Sequence, residues 1–358
     1  MKPKTMDLEG KYYTVNNISE SEMQGYFSLL EKRIPKSSAI QYLKLGQDII
    51  KVESLIPLFT SSIEKQCAFI RLDNAEKYTK RFCIWQDDIK SILSVNYQDV
   101  ISIALNPKNA DGSYLVLTDD RLDAYNAKTG TYYLMYSNDF DLNMDVIRQM
   151  GHVAVRYLYR ISKMPDQLLI HSAVVGLNNK GVLLSARGGG GKSTLAVSAL
   201  LNGFQYISDD YSILKKTAGG LFAYPIYSTI NLFPPMMEKM PGLKANYLWN
   251  SWWQPYKHTM EISGHHDSFV TQLPVYALVF PVIADIENPC IKRMEDKGKA
   301  IVQVAHSGLK QLTDSHKEGE DYVNAILSLV KDLDIYQINL SPDLQKNVEC
   351  LRSFVEKL

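Results

Sequence analysis

Residues 186–194 read Ala-Arg-Gly-Gly-Gly-Gly-Lys-Ser-Thr. They fit the phosphate-binding (Walker A) pattern G-x-x-x-x-G-K-[ST], with Ala186 in place of the first glycine. Gly188, Gly189, Gly190 and Gly191 carry no side chains, so a loop built from them can turn its backbone N–H groups onto a phosphate. Lys192 is spaced to reach the outer phosphates of a nucleotide and the Ser193 hydroxyl to hold Mg²⁺, with Thr194 completing the motif. The competing reading is a glycine-rich turn with a chance lysine. That reading requires motif and flanking elements to coincide by accident.

Asp209 and Asp210 follow Lys192 at the end of the next expected strand. In open α/β sheets such strand ends line the ligand crevice. One carboxylate there can bind Mg²⁺, directly or through water, and one beside it can take a proton from an attacking hydroxyl. The alternative is a solvated turn, where Asp-Asp pairs are common. His171 ends the apolar run Leu168-Leu169-Ile170. A lone histidine in an apolar strand is more often a hydrogen-bonded core residue, but this one belongs to a strand expected to pair with the one that feeds the glycine loop.

The elements that must position these groups are readable on both sides of the loop. Residues 181–185 form a short apolar run expected to be a buried strand, and 194–201 read as a helix, which places the loop at a positive helix N-terminus. Strands are expected at 168–175, 204–208, 222–226, 275–280 and 335–340, and helices near 321–331 and 344–356. Earlier in the chain a helix near 22–31 precedes expected strands at 39–45, 67–72, 81–85, 100–105, 113–117 and 131–135. A helical pattern over about 144–163 bridges the two regions. The expected architecture is α/β. A β-rich (α+β) N-terminal domain with the bridging helix spans 1–165, and a P-loop nucleotide-binding domain spans 166–358.

The stretch 169–214 runs from Leu-Ile-His-Ser-Ala-Val-Val through the glycine loop to Ile-Ser-Asp-Asp-Tyr-Ser-Ile-Leu. It resembles the catalytic domain of HPr kinase/phosphorylase, and more closely the HPr-kinase-like bacterial serine kinases. The resemblance extends loosely through 224–232 and 273–278. It implies a kinase that uses ATP and Mg²⁺. Asp209 and Ser193 would then hold the metal, Asp210 would be the catalytic base, and His171 and Lys192 would complete the catalytic set. Thr194 stands where HPr kinases have an acidic residue, and their downstream arginine- and glycine-rich signature is missing. Both departures argue against HPr as substrate and against the reverse, phosphorolytic reaction. The resemblance also makes Lys257 a candidate cation for the transferring phosphate.

The rest of the composition sets bounds. The chain has 358 residues, 39 basic and 39 acidic, so its formal net charge is zero and nothing in the balance calls for a nucleic-acid or anionic-membrane partner. No apolar run is long enough to span a bilayer, and the first residues lack a signal-peptide core. Cys67, Cys83, Cys290 and Cys350 form no C-x-x-C pair, which fits reduced thiols in a cytoplasmic protein. Residues 234–272, with Trp249, Trp252 and Trp253, read as a substrate lid or, equally, as core aromatics. The expected function is transfer of the γ-phosphate of ATP to a hydroxyl, a serine of a peptide or protein. The alternatives are a small-molecule kinase acting on, for example, free serine, or an ATP-binding switch without catalysis. The acceptor and the oligomeric state are not written in the sequence.

Overall fold

The computed structural model describes residues 12–36, 38–92, 102–107, 112–118, 120–142, 166–250, 256–312 and 316–358. The expected bridging helix at 144–163 and the pair Trp252–Trp253 lie outside these. The protein is a mixed α/β chain with several sheets. It divides into two compact units, Met1–Ser62 with Arg71–Ile147, and Ile63–Ile70 with Arg148–Leu358. No described helix is long and apolar enough to cross a membrane.

The first unit opens with β1 (Tyr12–Ile18), α1 (Glu20–Arg33), β2 (Ala39–Leu45), β3 (Asp48–Ser54) and α2 (Pro57–Gln66), the last running on into the second unit's segment. It continues with β4 (Arg71–Leu72), β5 (Lys80–Asp87), β6 (Ser102–Pro107), β7 (Tyr114–Thr118), β8 (Arg121–Asn126) and β9 (Thr131–Ser137). Among the described residues these nine strands form one sheet, ordered β1-β6-β7-β8-β9-β5-β3-β2-β4. Helix α1 starts at a capping box, in which the Glu22 amide donates to Ser19 Oγ and the Ser19 amide to Glu22 Oε2. Its Met23, Phe27 and Leu30 recur at helical spacing and bury in one core with Trp85, Leu115 and Met135. Beside that core lies a charged cluster. Glu53 is buried and pairs with Lys51 and Arg81, while Arg81 also reaches Glu31 of α1 at 2.8 Å.

The strand expected at 67–72 is a correction. Residues Ala68–Ile70 form a 3₁₀ turn, and only Arg71–Leu72 pair as strand. Cys67 and Ile70 are both buried, and the Ile70 amide donates to the Cys67 carbonyl, so the apolar spacing is that of a helical turn. Phe69, in the middle of the turn, stacks on Phe269 with ring centroids 3.8 Å apart, which fastens this short segment to the second unit.

The second unit holds β10 (Gln167–Ile170), β11 (Ala173–Leu177), β12 (Lys180–Leu184), α3 (Lys192–Leu201), β13 (Gln205–Ser208), β14 (Ser212–Thr217), β15 (Gly220–Pro225), β16 (Thr229–Leu232) and α4 (Pro234–Glu238). After these come β17 (Ala245–Asn250), β18 (His258–Ile262), β19 (Leu273–Ile283), β20 (Cys290–Arg293), α5 (Lys297–Leu312), α6 (His316–Val330), β21 (Asp334–Leu340) and α7 (Leu344–Lys357). The main sheet runs β10-β14-β15-β19-β12-β11-β13, and β21 pairs with β19 and β20. A separate three-stranded sheet is ordered β16-β18-β17.

The expected single strand at 168–175 is therefore two strands, broken at His171-Ser172. β10 pairs with β14, whereas β11 pairs with β12 and β13. In strand order β10 and β11 are five places apart, which in a flat sheet is roughly 24 Å at 4.8 Å per strand. A two-residue link spans at most about 11 Å. The sheet is therefore rolled, and its two wings approach along a seam. Serines hold the seam. Ser208 Oγ and Ser212 Oγ are 2.7 Å apart, and Ser212 Oγ donates to the Ser172 carbonyl. β19 joins the wings. Leu273 and Pro274 pair with β15, Val275 onward with β12, and Ala277 onward with β21. Helices α3 and α7 pack Leu195, Leu200, Val348, Leu351 and Val355 into one core with Val175 and Val182 of the sheet.

Candidate functional site

Strands β12 and β13 each run antiparallel to β11, so they run in the same direction and end at the same edge of the sheet. β12 ends in the glycine loop and β13 in Asp209-Asp210. His171, just before β11, enters from the same edge. Strand direction alone thus collects three sequence-expected groups from chain positions up to 39 residues apart.

The loop leaves β12 through Ser185, whose amide donates to the Val279 carbonyl, and through buried Ala186. Arg187, Gly188 and Gly189 are exposed, while Gly190, Gly191 and Thr194 are half-buried. Gly191 precedes α3 at φ +91°, a conformation that favours glycine, and no side chain caps the helix. At Gly190 a Cβ would fall 2.8 Å from the Ala186 Cβ. Ala186 in the motif's first glycine position therefore packs against a residue that must itself lack a side chain. The result is a bare loop leading into the uncapped N-terminus of a ten-residue helix, an arrangement that attracts anions.

Lys192 and Ser193 open α3 and turn inward, both buried. Lys192 Nζ lies 3.3 Å from Asp209 Oδ1 and 3.2 Å from Asp210 Oδ1. Burial alone would lower the lysine pKa; the two carboxylates outweigh it and hold the pKa above its ordinary value, so the side chain stays cationic. Ser193 Oγ donates to Asp209 Oδ1 at 3.0 Å. Asp209 is 0% exposed, and its Oδ2 is buried with no hydrogen-bond partner among the described residues. A buried carboxylate oxygen in that condition, next to a serine hydroxyl, is a seat suited to a hard cation.

Asp210 differs from its neighbour. It sits at φ +71°, in the left-handed region that Asp and Asn tolerate better than most residues, and 22% of its side chain is exposed. Its carboxylate meets the same Lys192 ammonium as Asp209 but stays partly exposed. Oδ1 lies 3.1 Å from His171 Nε2, and Oδ2 accepts from Asn231 Nδ2 at 2.7 Å. Tyr211 packs on the His171 ring with centroids 5.3 Å apart, and Tyr227 packs edge-on to Tyr211. The Tyr206 and Tyr227 hydroxyls are pushed well above their ordinary pKa, by burial first, with the Asp209 and Asp210 carboxylates adding to it at Tyr206, so both remain neutral.

The structure thus brings Lys192, Ser193, Asp209, Asp210 and His171 within hydrogen-bond distance of one another as one network. Sequence reasoning missed Asn231 on β16 and Thr259 on β18, which is hydrogen-bonded to it. The available signal was alternation. Ile230 and Leu232 are apolar, whereas Thr229 and Asn231, which alternate with them, are polar and buried, which is unusual unless a partner awaits them.

Lys257, Trp249 and the neighbouring histidines His265 and His266 have contacts of other kinds. Lys257 Nζ lies 5.1 Å from the Phe233 ring centroid, just past the Leu232–His258 end of the β16–β18 ladder and two positions beyond the Asn231–Thr259 pair. Trp249 is buried, so it is a core residue and offers no docking face. His265 contacts the Gly242 carbonyl and His266 packs on Phe69.

No protein-family model matches the chain, and no curated protein matches it. Among solved structures, the HPr(Ser) kinase/phosphatase from Coxiella burnetii shows a weak structural resemblance. It covers 53% of this chain and 97% of that one, at 13% identity and a TM-score of 0.28.

Proposed function

We propose that this chain is a phosphotransferase that moves the γ-phosphate of ATP to a hydroxyl, a serine of a peptide or protein. The observation that carries the reading is the convergence of a buried cationic lysine, an orphaned buried carboxylate oxygen and a second, partly exposed carboxylate at the foot of a bare glycine loop. Each of the three fits a different requirement of phosphoryl transfer, and the loop fits the phosphate chain.

In this reading the loop amides of Gly188 to Thr194 and the start of α3 bind the phosphates, and Lys192 turns from the carboxylates to the outer phosphate oxygens. Ser193 and Asp209 would hold Mg²⁺, which supplies charge neutralisation on the phosphate oxygens. Asp210 takes the proton of the acceptor hydroxyl as that oxygen forms its bond to phosphorus and the bond to the ADP oxygen breaks. His171 orients the Asp210 carboxylate. The acceptor approaches from the exposed side of Asp210, the one member of the acid pair that solvent reaches.

The test is incubation with γ-labelled ATP and Mg²⁺, using a degenerate serine-containing peptide library and free L-serine as separate acceptors. Label on serine in the library supports the reading, and Lys192→Ala should lower that transfer by about 10²-fold or more. Label on free serine alone would make the chain a small-molecule kinase. No transfer to either acceptor, or undiminished transfer in folded Lys192→Ala, would overturn the proposal.

A further inference from the structure

Asp210 must present its carboxylate in one orientation while standing on a left-handed backbone position at the end of a strand. Among the described residues, His171, Lys192 and Asn231 all meet it. Lys192 and His171 meet Oδ1, and both come from elements at the same sheet edge as Asp210. The third comes from outside the main sheet. Asn231 Nδ2 donates to Oδ2 at 2.7 Å from strand β16 of the separate three-stranded sheet.

A carboxylate can only accept, so the Asn231 amide must turn its NH₂ toward Asp210 and its oxygen away. That oxygen accepts from Thr259 Oγ1 at 2.6 Å. Asn231 and Thr259 are direct cross-strand partners in the β16–β18 ladder, so the register of that ladder sets their meeting. Both are buried, and a flipped amide would set oxygen against carboxylate on one side and leave the threonine hydroxyl facing NH₂ on the other.

We propose that Asn231 is a positioning residue for the Asp210 carboxylate, and that Thr259 fixes the direction in which the Asn231 amide points. The relay Thr259 to Asn231 to Asp210 makes the small sheet part of the site's aiming machinery. The inference rests on the phosphoryl-transfer reading, in which Asp210 is the base. It predicts a larger effect on turnover than on nucleotide binding, because the relay ends on the Asp210 carboxylate, which in that reading serves the acceptor hydroxyl and not the phosphates.

The experiment compares Asn231→Ala, Thr259→Val and Thr259→Ser, with Asp210→Asn as reference. Valine keeps threonine's shape and removes the donor; serine keeps the donor. Transfer from γ-labelled ATP to the serine peptide library gives kcat, and calorimetry gives the affinity for ATP·Mg²⁺. Asn231→Ala should lose about 10²-fold in kcat, the size expected when a reacting group is misplaced by about 1 Å. Thr259→Val should lose about tenfold, a change of about 1.4 kcal/mol. ATP affinity should move by less than about threefold in both. Thr259→Ser should recover most of the lost kcat. Wild-type kcat in Thr259→Val, or an equal loss in Thr259→Ser, would overturn the inference.

The reference variant separates the two levels. An inactive Asp210→Asn with a fully active Thr259→Val removes the relay and leaves the base in place. An active Asp210→Asn removes the base itself. A crystal structure of Thr259→Val supplies a readout that needs no turnover. A displaced Asp210 carboxylate or a rotated Asn231 amide supports the relay, and an unchanged 2.7 Å contact refutes it.

Discussion

Replacing Gly191 with alanine tests the loop without altering any charged group. The residue stands at φ +91°, where an L side chain costs about 1–2 kcal/mol. Its Cβ would also meet Leu340 Cδ1 at 2.7 Å, the far end of a flexible side chain that can turn aside for about 0.5–1.5 kcal/mol. The combined strain is about 1.5–3.5 kcal/mol if the loop keeps its shape. If the loop instead relaxes, the strain reappears when a bound phosphate restores that shape, and ATP affinity falls by about 10- to 300-fold. The same energy must show either in the melting temperature or in the dissociation constant, so both are measured: ATP·Mg²⁺ binding by calorimetry and unfolding by thermal melt. Two neighbours serve as internal standards. Gly189→Ala shares the positive φ, at +84°, and meets nothing within 4 Å, so it carries the backbone cost alone. Gly190→Ala has no positive-φ cost, but its Cβ would lie 2.8 Å from the Ala186 Cβ and 3.3 Å from the Pro281 carbonyl, neither of which can swing away. A Gly191→Ala protein with wild-type melting and wild-type ATP affinity would refute the loop geometry and the phosphate reading built on it.

Two further expectations concern titration and reactivity. Burial would raise the Glu53 pKa, but its bonds and charge interactions with Lys51 and Arg81 outweigh this and hold it below the ordinary value. A depressed pKa means its stabilisation is present above the unfolded value, about 4.3, and is lost as pH falls through the folded value. Glu53→Gln should therefore lower stability at neutral pH, by about 3 kcal/mol, and flatten the acid limb of a stability–pH profile below about pH 4.5; an acid limb as steep as wild type would show that Glu53 does not contribute to it. Burial pushes the Cys67 thiol up to about 12, so it should resist iodoacetamide at pH 8 in the native protein and react on unfolding in urea, as followed by mass spectrometry. Rapid native labelling of Cys67 would contradict its buried position.

The candidate residues of the site are easier to pick out in the sequence than the way the fold assembles them. The glycine loop stands out because a run of glycines between an apolar strand and a helix has few other uses, and Lys192, Ser193, Asp209 and Asp210 lie within 19 residues of one another. The break at His171 was invisible because the residues on both sides are apolar and buried, Leu168 to Ile170 in one wing and Ala173 to Val175 in the other. A buried strand that bends between two wings has the same composition as one that runs straight. β3 escaped notice because Asp48, Lys51 and Glu53 interrupt its apolar pattern, and the pairing of Asp48 with Lys80 and of Glu53 with Arg81 appears only once β5 lies alongside. Asn231 and Thr259 are 28 residues apart and meet through ladder register, which no local pattern records.

The long strand β19 has a consequence for how this unit comes into being. Synthesis runs from the N-terminus, so His171, the glycine loop, the acid pair, Asn231 and Thr259 have all emerged before Leu273. Until then the wing β10-β14-β15 and the wing β11-β12-β13 have no strand in common, and the short links at 171–172 and 209–211 tie them. The nascent chain thus carries all of these candidate side chains before it carries the strand that joins the two wings. Folding waits on non-local pairings made late, of the slower topological class. Asp209, which the finished protein encloses fully, is thus made 64 residues before β19 begins.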